Sequence, residues 1–233
     1  MRIQTISFLA SFSVSFCCCG QEKDKSPKIF IDKFNLDSCS FSAIGRNQFF
    51  ILEPGYQLTL EGKEGNKTSK LVITVLDETK KIGNTETRIV EENESVNGQT
   101  VEVSRNYFAF CQQTNSVFYF GEEVDNYKNG KVSNHEGAWI AEGKNKAGLM
   151  MPGDILIGAK FYQEIAPGIA MDRAEIISIT EKLKTAAGAF SNCLKSEETT
   201  PLEPKNKEYK IYAPGIGLIK DGELRLVKYG FVK

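Results

Sequence analysis

The chain has 233 residues, of which 29 are Lys or Arg and 30 are Asp or Glu, so its net charge at pH 7 is −1. This balance argues against a basic surface for nucleic acids, and we predict no nucleic-acid partner. The hydrophobic content of 41% is ordinary for a globular protein and allows a core of normal size.

The first residues of the chain have the pattern of a bacterial export signal. Residues 3–16 carry no charge, and the cysteines Cys17, Cys18 and Cys19 follow them. The uncharged run of about 14 residues is shorter than the roughly 20 residues that a membrane-spanning helix needs. We therefore predict a signal peptide at residues 1–18, which is removed when the cysteine after it becomes lipidated.

Lipidation is predicted at Cys19, because Gly20 and a polar run follow it directly, and Cys18 and Cys17 are the alternatives. A cleaved signal without a lipid is a further alternative. Residues 19–47 are predicted to form a lipidated polar tether. The predicted location is the bacterial cell envelope, at the outer membrane or a periplasmic face, with the membrane as a partner through the lipid anchor.

Strand signals recur at short intervals after the tether. Tyr56, Leu58 and Leu60 alternate with polar residues, which is typical of a strand with one buried face. Residues 48–233 are predicted to form a single domain that is mainly β, a strongly curved antiparallel sheet or open β-barrel built from hairpins with little helix. Further strands are predicted at residues 71–76, 87–90, 101–110, 117–120, 160–164, 174–180, 208–212 and 224–232.

Three dipeptides predict the turns of hairpins, namely Asn97-Gly98, Asn129-Gly130 and Asp221-Gly222. Asn-Gly and Asp-Gly tolerate positive φ at both central positions, as a tight type I′ turn requires. Because all three pairs lie between strand-like flanks, they favour an antiparallel sheet.

Three cysteines lie outside the export segment, namely Cys39, Cys111 and Cys193. Two of them can pair in an oxidising envelope. We predict a disulfide between Cys111 and Cys193, because both lie in apolar runs whereas Cys39 lies near the tether. Three unpaired buried thiols are the alternative. The spacing of these cysteines does not resemble a zinc site.

The sequence carries no familiar catalytic or metal-binding motif, and we predict no catalytic residue, no metal and no cofactor. His135 is the single histidine, which argues against zinc sites with several histidines, and we expect it to be exposed. A partial calcium-loop pattern is attributed to a hairpin turn, because Tyr127 stands at a ligand position. The other positions of that pattern are Asp125, Asn129, Gly130, Ser133 and Glu136.

Two acidic clusters invite comparison with the carboxylate pairs of glycosidases. We expect both clusters to solvate strand ends and loops, without the burial that would raise the pKa of a carboxyl group. The clusters are Glu91, Glu92 and Glu94 in one case, and Glu122, Glu123 and Asp125 in the other.

Several segments, taken together, resemble a family of uncharacterised bacterial exported proteins and lipoproteins. Its members carry G-x-W, M-P-x-D, Q-E-x-x-P-G-x-A-x-D-x-A-E, P-L-E-P and Y-A-P-G-V-G segments. The resemblance implies an envelope location and a β-rich body, and it names no catalytic residue. Gly153 and Ile155 depart from the family pattern in the second segment. The corresponding residues of this chain are 137–139, 151–154, 163–175, 201–204 and 212–217.

The export signal, the many aromatic residues and the lack of catalytic clusters predict a lipid-anchored, non-catalytic domain. It would bind an apolar ligand or an envelope protein as its partner. A structural or surface interaction module without a ligand is one alternative, and a hydrolase that uses a carboxylate pair is another. Five aromatic residues are expected either to fill the core or to line a concave apolar surface, namely Phe108, Phe110, Phe118, Tyr119 and Phe120.

Overall fold

The computed structural model describes residues 29–232. The predicted signal peptide, residues 1–18, and the lipidation candidates Cys17, Cys18 and Cys19 lie outside the described residues. The described chain contains one short 3-10 helix, Leu36–Ser38. Its strands are β1 (Phe41–Ser42), β2 (Gly45–Asn47), β3 (Phe50–Leu52), β4 (Tyr56–Glu64), β5 (Lys67–Ile82), β6 (Thr85–Val96), β7 (Gln99–Cys111), β8 (Ser116–Lys128), β9 (Lys131–Asn134), β10 (Trp139–Ile140), β11 (Lys146–Met151), β12 (Lys160–Tyr162), β13 (Glu164–Ile165), β14 (Arg173–Thr185), β15 (Gly188–Thr200), β16 (Glu203–Ala213), β17 (Gly217–Asp221) and β18 (Leu224–Phe231).

One antiparallel sheet dominates the fold and nearly closes into an up-and-down barrel, as the sequence predicts. Strands β4 to β8 pair in chain order, strands β14 to β18 pair in chain order, and β18 pairs with β4. The stretch from Lys160 to Ile165 completes the ring. Its first half, β12, pairs with β14, whereas its second half, β13, pairs with β11. A single short segment therefore bridges the two edges of the sheet and protects them from pairing with other chains.

The turns alternate between two ends of the barrel, because consecutive strands run antiparallel. We call one end the upper end and the other the lower end. The upper turns lie at residues 65–66, 97–98, 129–130, 166–170, 201–202 and 222–223. The lower turns lie at residues 83–84, 112–115, 152–159, 186–187 and 214–216.

Two of the three predicted hairpin turns are confirmed, with positive φ at both residues of Asn97-Gly98 and of Asn129-Gly130. The third prediction is wrong by one residue. Asp221 belongs to β17 and pairs across the turn, so the turn residues are Gly222 and Glu223. Only Gly222 has positive φ, at 51°. This pattern is that of a type II′ turn, which needs glycine at its first central position alone.

The N-terminal segment packs on the outer surface of β7 and β8, so the predicted tether of residues 19–47 is too long. The ring of Phe41 lies 5.7 Å from that of Phe118 and 5.3 Å from that of Phe120. Phe34 packs edge-on against Phe118 at 5.7 Å. These contacts cover outward-facing rings that water would otherwise surround, and the burial of aromatic area stabilises the attachment. The folded body therefore begins earlier than residue 48.

The structure pairs Cys39 with Cys111, so the predicted bond between Cys111 and Cys193 is wrong. The two paired Cα atoms lie 5.2 Å apart, which suits a disulfide. Cys193 is a free, buried thiol in the cluster that fills the barrel, whereas Cys111 belongs to the outer cluster. The two cysteines therefore face opposite sides of the sheet, and the outer segment alone brings a thiol to Cys111.

Replacing Cys39 and Cys111 together by Ser is expected to lower the free energy of unfolding by about 4 kcal/mol, because the bridge spans a sequence separation of 72. Denaturant titration measures this change. Peptide mapping of the unreduced protein should recover a linked pair containing Cys39 and Cys111, and Cys193→Ala should leave that pair unchanged. A linked pair containing Cys193 would contradict the structure.

Candidate functional site

The upper half of the barrel encloses a cavity of about 450 Å³. Its wall is rich in acidic side chains, and among the described residues that line it, Lys210 is the only base. We call it the acidic cavity. Its lining residues are Glu92, Glu94, Glu102, Ser104, Asn106, Phe108, Tyr119, Glu122, Gly137, Met150, Gln163, Glu164, Ile169, Ala170, Asp172, Glu198, Thr200, Leu202, Glu203 and Lys210.

Strand alternation aims most of these side chains inward. In β6, Glu92 and Glu94 follow the buried Val90 at intervals of two, so all three share the inner face. In β7, Glu102 continues the inner row that ends at Phe108. The carboxylates thus lie toward the upper end and the apolar side chains toward the lower end of the same strands.

A β-bulge in β8 places two further groups in the cavity. Asn106 pairs with Glu122, but Phe108 pairs with Tyr119, so one residue of β7 faces two residues of β8. Without that extra residue, Tyr119 and Glu122 would point to opposite faces. Gly121 lies in the bulge with φ of 134°, and a Cβ atom there would lie 2.8 Å from the Cα atom of Ile140. The bulge therefore requires glycine.

Burial raises the pKa values of several cavity carboxyl groups. The pKa of Glu92 rises to about 7, mainly through loss of water, and Lys210 opposes the rise. The pKa of Glu122 rises to about 8, again mainly through burial, with the charge of Glu92 adding to it and a hydrogen bond with Tyr119 opposing it. Burial and the neighbouring Glu122 raise the pKa of Glu164 well above its usual range. The acidic cavity therefore holds protonated carboxyl groups near neutral pH.

Glu198 differs from these acids because both of its carboxylate oxygens already have ion-pair or hydrogen-bond partners within the protein. Its Oε2 atom lies 3.1 Å from Lys210 Nζ. Its Oε1 atom accepts hydrogen bonds from Ser196 at 3.1 Å, Tyr212 at 3.4 Å and Gln163 at 3.5 Å. A carboxylate with so many donors is satisfied within the protein. The acids across the cavity, on β6, β7 and β8, are the groups that face the open space.

One side of the acidic cavity is aromatic. The rings of Phe108 and Tyr119 lie 4.6 Å apart, and Trp139 packs edge-on against Tyr119 at 5.4 Å. The Tyr119 hydroxyl donates to Asn106 Oδ1. Asn106 in turn donates to the carbonyl oxygen of Val90 at 3.3 Å. This network fixes the ring of Tyr119, and the ring of Phe108 packed against it, beside the carboxylates of the cavity.

The lower half of the barrel is nearly filled. It keeps a hollow of about 70 Å³ that continues from the acidic cavity past Phe108 and Met150. For comparison, an engineered protein cavity of about 150 Å³ binds one benzene molecule. All five aromatic residues are packed into buried clusters, as the filled-core alternative expects, and Phe108 and Tyr119 also line the cavity.

The expectation that the two acidic clusters only solvate strand ends is wrong. Alternation splits each cluster between the two faces of its strand. Glu91 and Glu123 lie outside and form ion pairs, with Arg105 at 3.4 Å and with Lys80 at 2.5 Å. The inner members are Glu92, Glu94 and Glu122. The predicted strands end at residues 90 and 120, whereas β6 and β8 continue through both clusters, and alternation along these longer strands turns some acids inward.

The remaining candidates lie outside the cavity. The side chain of His135 is 67% exposed, as expected, and its Nδ1 atom lies 3.0 Å from Asp125 Oδ1. Asp125 also pairs with Arg105 at 3.4 Å, and Asn129-Gly130 forms a hairpin turn. Within residues 29–232, no group of three or more His, Cys, Asp or Glu residues is arranged to hold a metal ion. In the same range, no helix has the length and apolar character to cross a bilayer.

No protein-family model matches the chain, and neither a curated protein nor a solved structure matches it. Two of the segments on which the predicted resemblance was based supply residues to the cavity. The long segment at residues 163–175 supplies five lining residues, and the segment at residues 201–204 supplies two more. The seven are Gln163, Glu164, Ile169, Ala170, Asp172, Leu202 and Glu203.

Proposed function

We propose that the chain is a lipid-anchored protein of a bacterial cell envelope whose barrel binds a small organic cation and catalyses no reaction. The ligand would carry an amine, amidine or guanidine group on a short apolar body. The observation that carries this proposal is the convergence of carboxylates from β6, β7, β8 and β13 on one cavity with an aromatic wall.

Charge favours a cation over other ligands. The pKa values of Glu92 and Glu122 are raised by lost hydration and by repulsion between neighbouring carboxylates. A bound cation would offset both effects. Phe108 and Tyr119 would add a favourable contact between the cation and their ring faces. A neutral ligand gains neither effect, and an anion would be repelled.

The volumes of the two cavities limit the size of the apolar part of the ligand. The hollow of about 70 Å³ in the lower half is smaller than an engineered cavity of about 150 Å³ that binds one benzene molecule, which disfavours a long acyl chain as the ligand. The acidic cavity of about 450 Å³ has room for a single ring or a short chain with its charged group. The apolar part of the ligand would therefore be small and would lie against Phe108, Tyr119 and Met150.

Benzamidine is a suitable probe, with benzyl alcohol and benzoate as neutral and anionic comparisons. Calorimetric titration should show binding of benzamidine alone. Glu122→Gln keeps the size of the side chain but removes its charge, and it should weaken binding about tenfold or more, as expected for a charge-assisted hydrogen bond. Glu136→Gln, on an exposed residue outside the cavity, should leave the affinity unchanged. Equal binding of all three probes would reject the proposal.

The carboxyl groups also favour a second function, hydrolysis by an acid pair. The pKa of Glu122 rises to about 8, and Glu164 lies close enough for the charge of Glu122 to raise its pKa as well. A general acid beside a second carboxyl group is the arrangement of glycoside hydrolases. An assay with nitrophenyl glycosides tests this function. Hydrolysis that disappears in Glu122→Gln and persists in Glu136→Gln would favour it, and no release of nitrophenol from any glycoside would reject it.

A further inference from the structure

Four aliphatic side chains form an exposed patch at the lower end of the barrel. Leu156 is 68% exposed and Ile157 is 63% exposed, both in the lower loop at residues 152–159. Ile29 is 83% exposed and Ile31 is 55% exposed. We call these four residues the lower apolar patch. Exposed aliphatic residues that are gathered in one place often mark a contact surface.

Backbone hydrogen bonds tie the two halves of the patch together. The amide of Ile31 donates to the carbonyl oxygen of Lys160 at 3.0 Å, and the amide of Tyr162 donates to the carbonyl oxygen of Ile31 at 2.9 Å. Lys160 follows the lower loop directly. The N-terminal segment and the loop that carries Leu156 therefore emerge side by side.

The lower end is apolar elsewhere too. Ile44 is 52% exposed, and Phe231 is 56% exposed at the last residue of β18, which pairs with the start of β4. At the upper end, the exposed Ile169 and Leu202 border the acidic cavity. Exposed apolar residues therefore lie at both ends, with the most exposed ones in the lower apolar patch, and the acidic cavity lies at the upper end.

The described chain begins beside the lower apolar patch. Ile31 and Phe161 form a parallel bridge, so the segment through Ile31 runs in the same direction as β12, and Ile29 is the first described residue. About ten residues separate Cys19 from Ile29, which is a reach of at most about 35 Å. An anchor on Cys19 would therefore keep Ile29 and the patch within about 35 Å of the lipid surface.

We infer that the lower apolar patch inserts into the interface of the membrane that holds the anchor, so that the acidic cavity opens away from the lipid. This inference rests on the lipid anchor proposed above. It assigns the four exposed residues a lipid contact, which removes their aliphatic surface from water. It also orients the cavity toward the aqueous space from which a cationic ligand would arrive.

Fluorescence quenching by brominated lipids tests the inference in the full chain, exported and purified after intact-mass analysis of its acyl anchor. The protein is reconstituted into vesicles of phosphatidylethanolamine and phosphatidylglycerol, with or without bromine in the acyl chains. Ile157→Trp introduces an indole into the patch. Val132→Trp, at an exposed aliphatic residue of β9 near the upper end, is the matched control. The native Trp139 is only 4% exposed and gives the same background in both variants.

The brominated lipids should quench the indole introduced at residue 157 and should leave the indole at residue 132 at its intensity in ordinary lipid. Adding Leu156→Ser to Ile157→Trp should reduce that quenching, because the loop loses half of its aliphatic surface. Equal intensities in both lipids for both variants of the acylated protein would overturn the inference. A protein without an acyl chain would instead reject the anchor itself, so the two failures are distinguishable.

Discussion

The affinity of the barrel for benzamidine is expected to rise steeply between pH 6 and pH 8 and to level off above pH 9. The amidinium group stays charged over this range, so the change comes from the protein. The amidinium group binds ionised carboxylates. At pH 6, however, Glu92, with a pKa of about 7, and Glu122, with a pKa of about 8, retain their protons. For each proton that the bound cation displaces from the protein, the affinity changes about tenfold per pH unit.

Calorimetric titration at pH 6, 7, 8 and 9 measures this dependence. Repeating it in buffers with different enthalpies of ionisation counts the protons released. Glu92→Gln and Glu122→Gln should each flatten the pH profile, because each removes one proton from the exchange. Glu136→Gln should keep the full slope. An affinity that does not change with pH in the unaltered protein would show that these carboxyl groups do not hold the ligand.

The second large effect is on stability, which is expected to fall as the pH rises from 5 to 9. An unfolded Glu loses its proton near pH 4.3, whereas folded Glu92 keeps it until about pH 7 and folded Glu122 until about pH 8. Between these values the folded state binds more protons than the unfolded state, so the free energy of unfolding decreases with pH. Glu92 alone accounts for about 4 kcal/mol at pH 9.

Lys210 does not reverse this trend. Its pKa is raised above the usual range by Glu198 and Asp221, in opposition to burial, so the residue is charged in both states between pH 5 and pH 9. Urea denaturation at pH 5, 7 and 9 measures the fall. Glu122→Gln should be more stable than the unaltered protein at pH 9 and of similar stability at pH 5. A free energy of unfolding that rises toward pH 9 would contradict the buried state of these acids.

The antiparallel fold could be predicted because alternation and turn chemistry act locally. Tyr56, Leu58 and Leu60 show the period of two that β4 adopts, and Asn97-Gly98 fixes a turn by its tolerance of positive φ. Closure of the ring could not be predicted in the same way. The stretch from Lys160 to Ile165 pairs with two different strands, and nothing in its six residues indicates that change of partner.

The acidic cavity could be predicted only in part from the sequence. In β6, the inward-facing Glu92 and Glu94 are close in sequence to the outward-facing Glu91, so composition alone suggests a solvated cluster. Their strand assignment would have separated Glu92 from Glu91. The position of Glu122 depends on the bulge at Gly121, which sequence alone does not reveal. The disulfide was missed because the segment that carries Cys39 was assigned to the tether.

A crystal structure of the protein with bound benzamidine tests the central claim most directly. The account predicts that the amidinium group lies within hydrogen-bond distance of Glu92 or Glu122 and that its ring rests against Phe108 or Tyr119. Benzamidine found solely on the outer surface, with those carboxyl groups bonded to one another across a cavity filled by water, would contradict it.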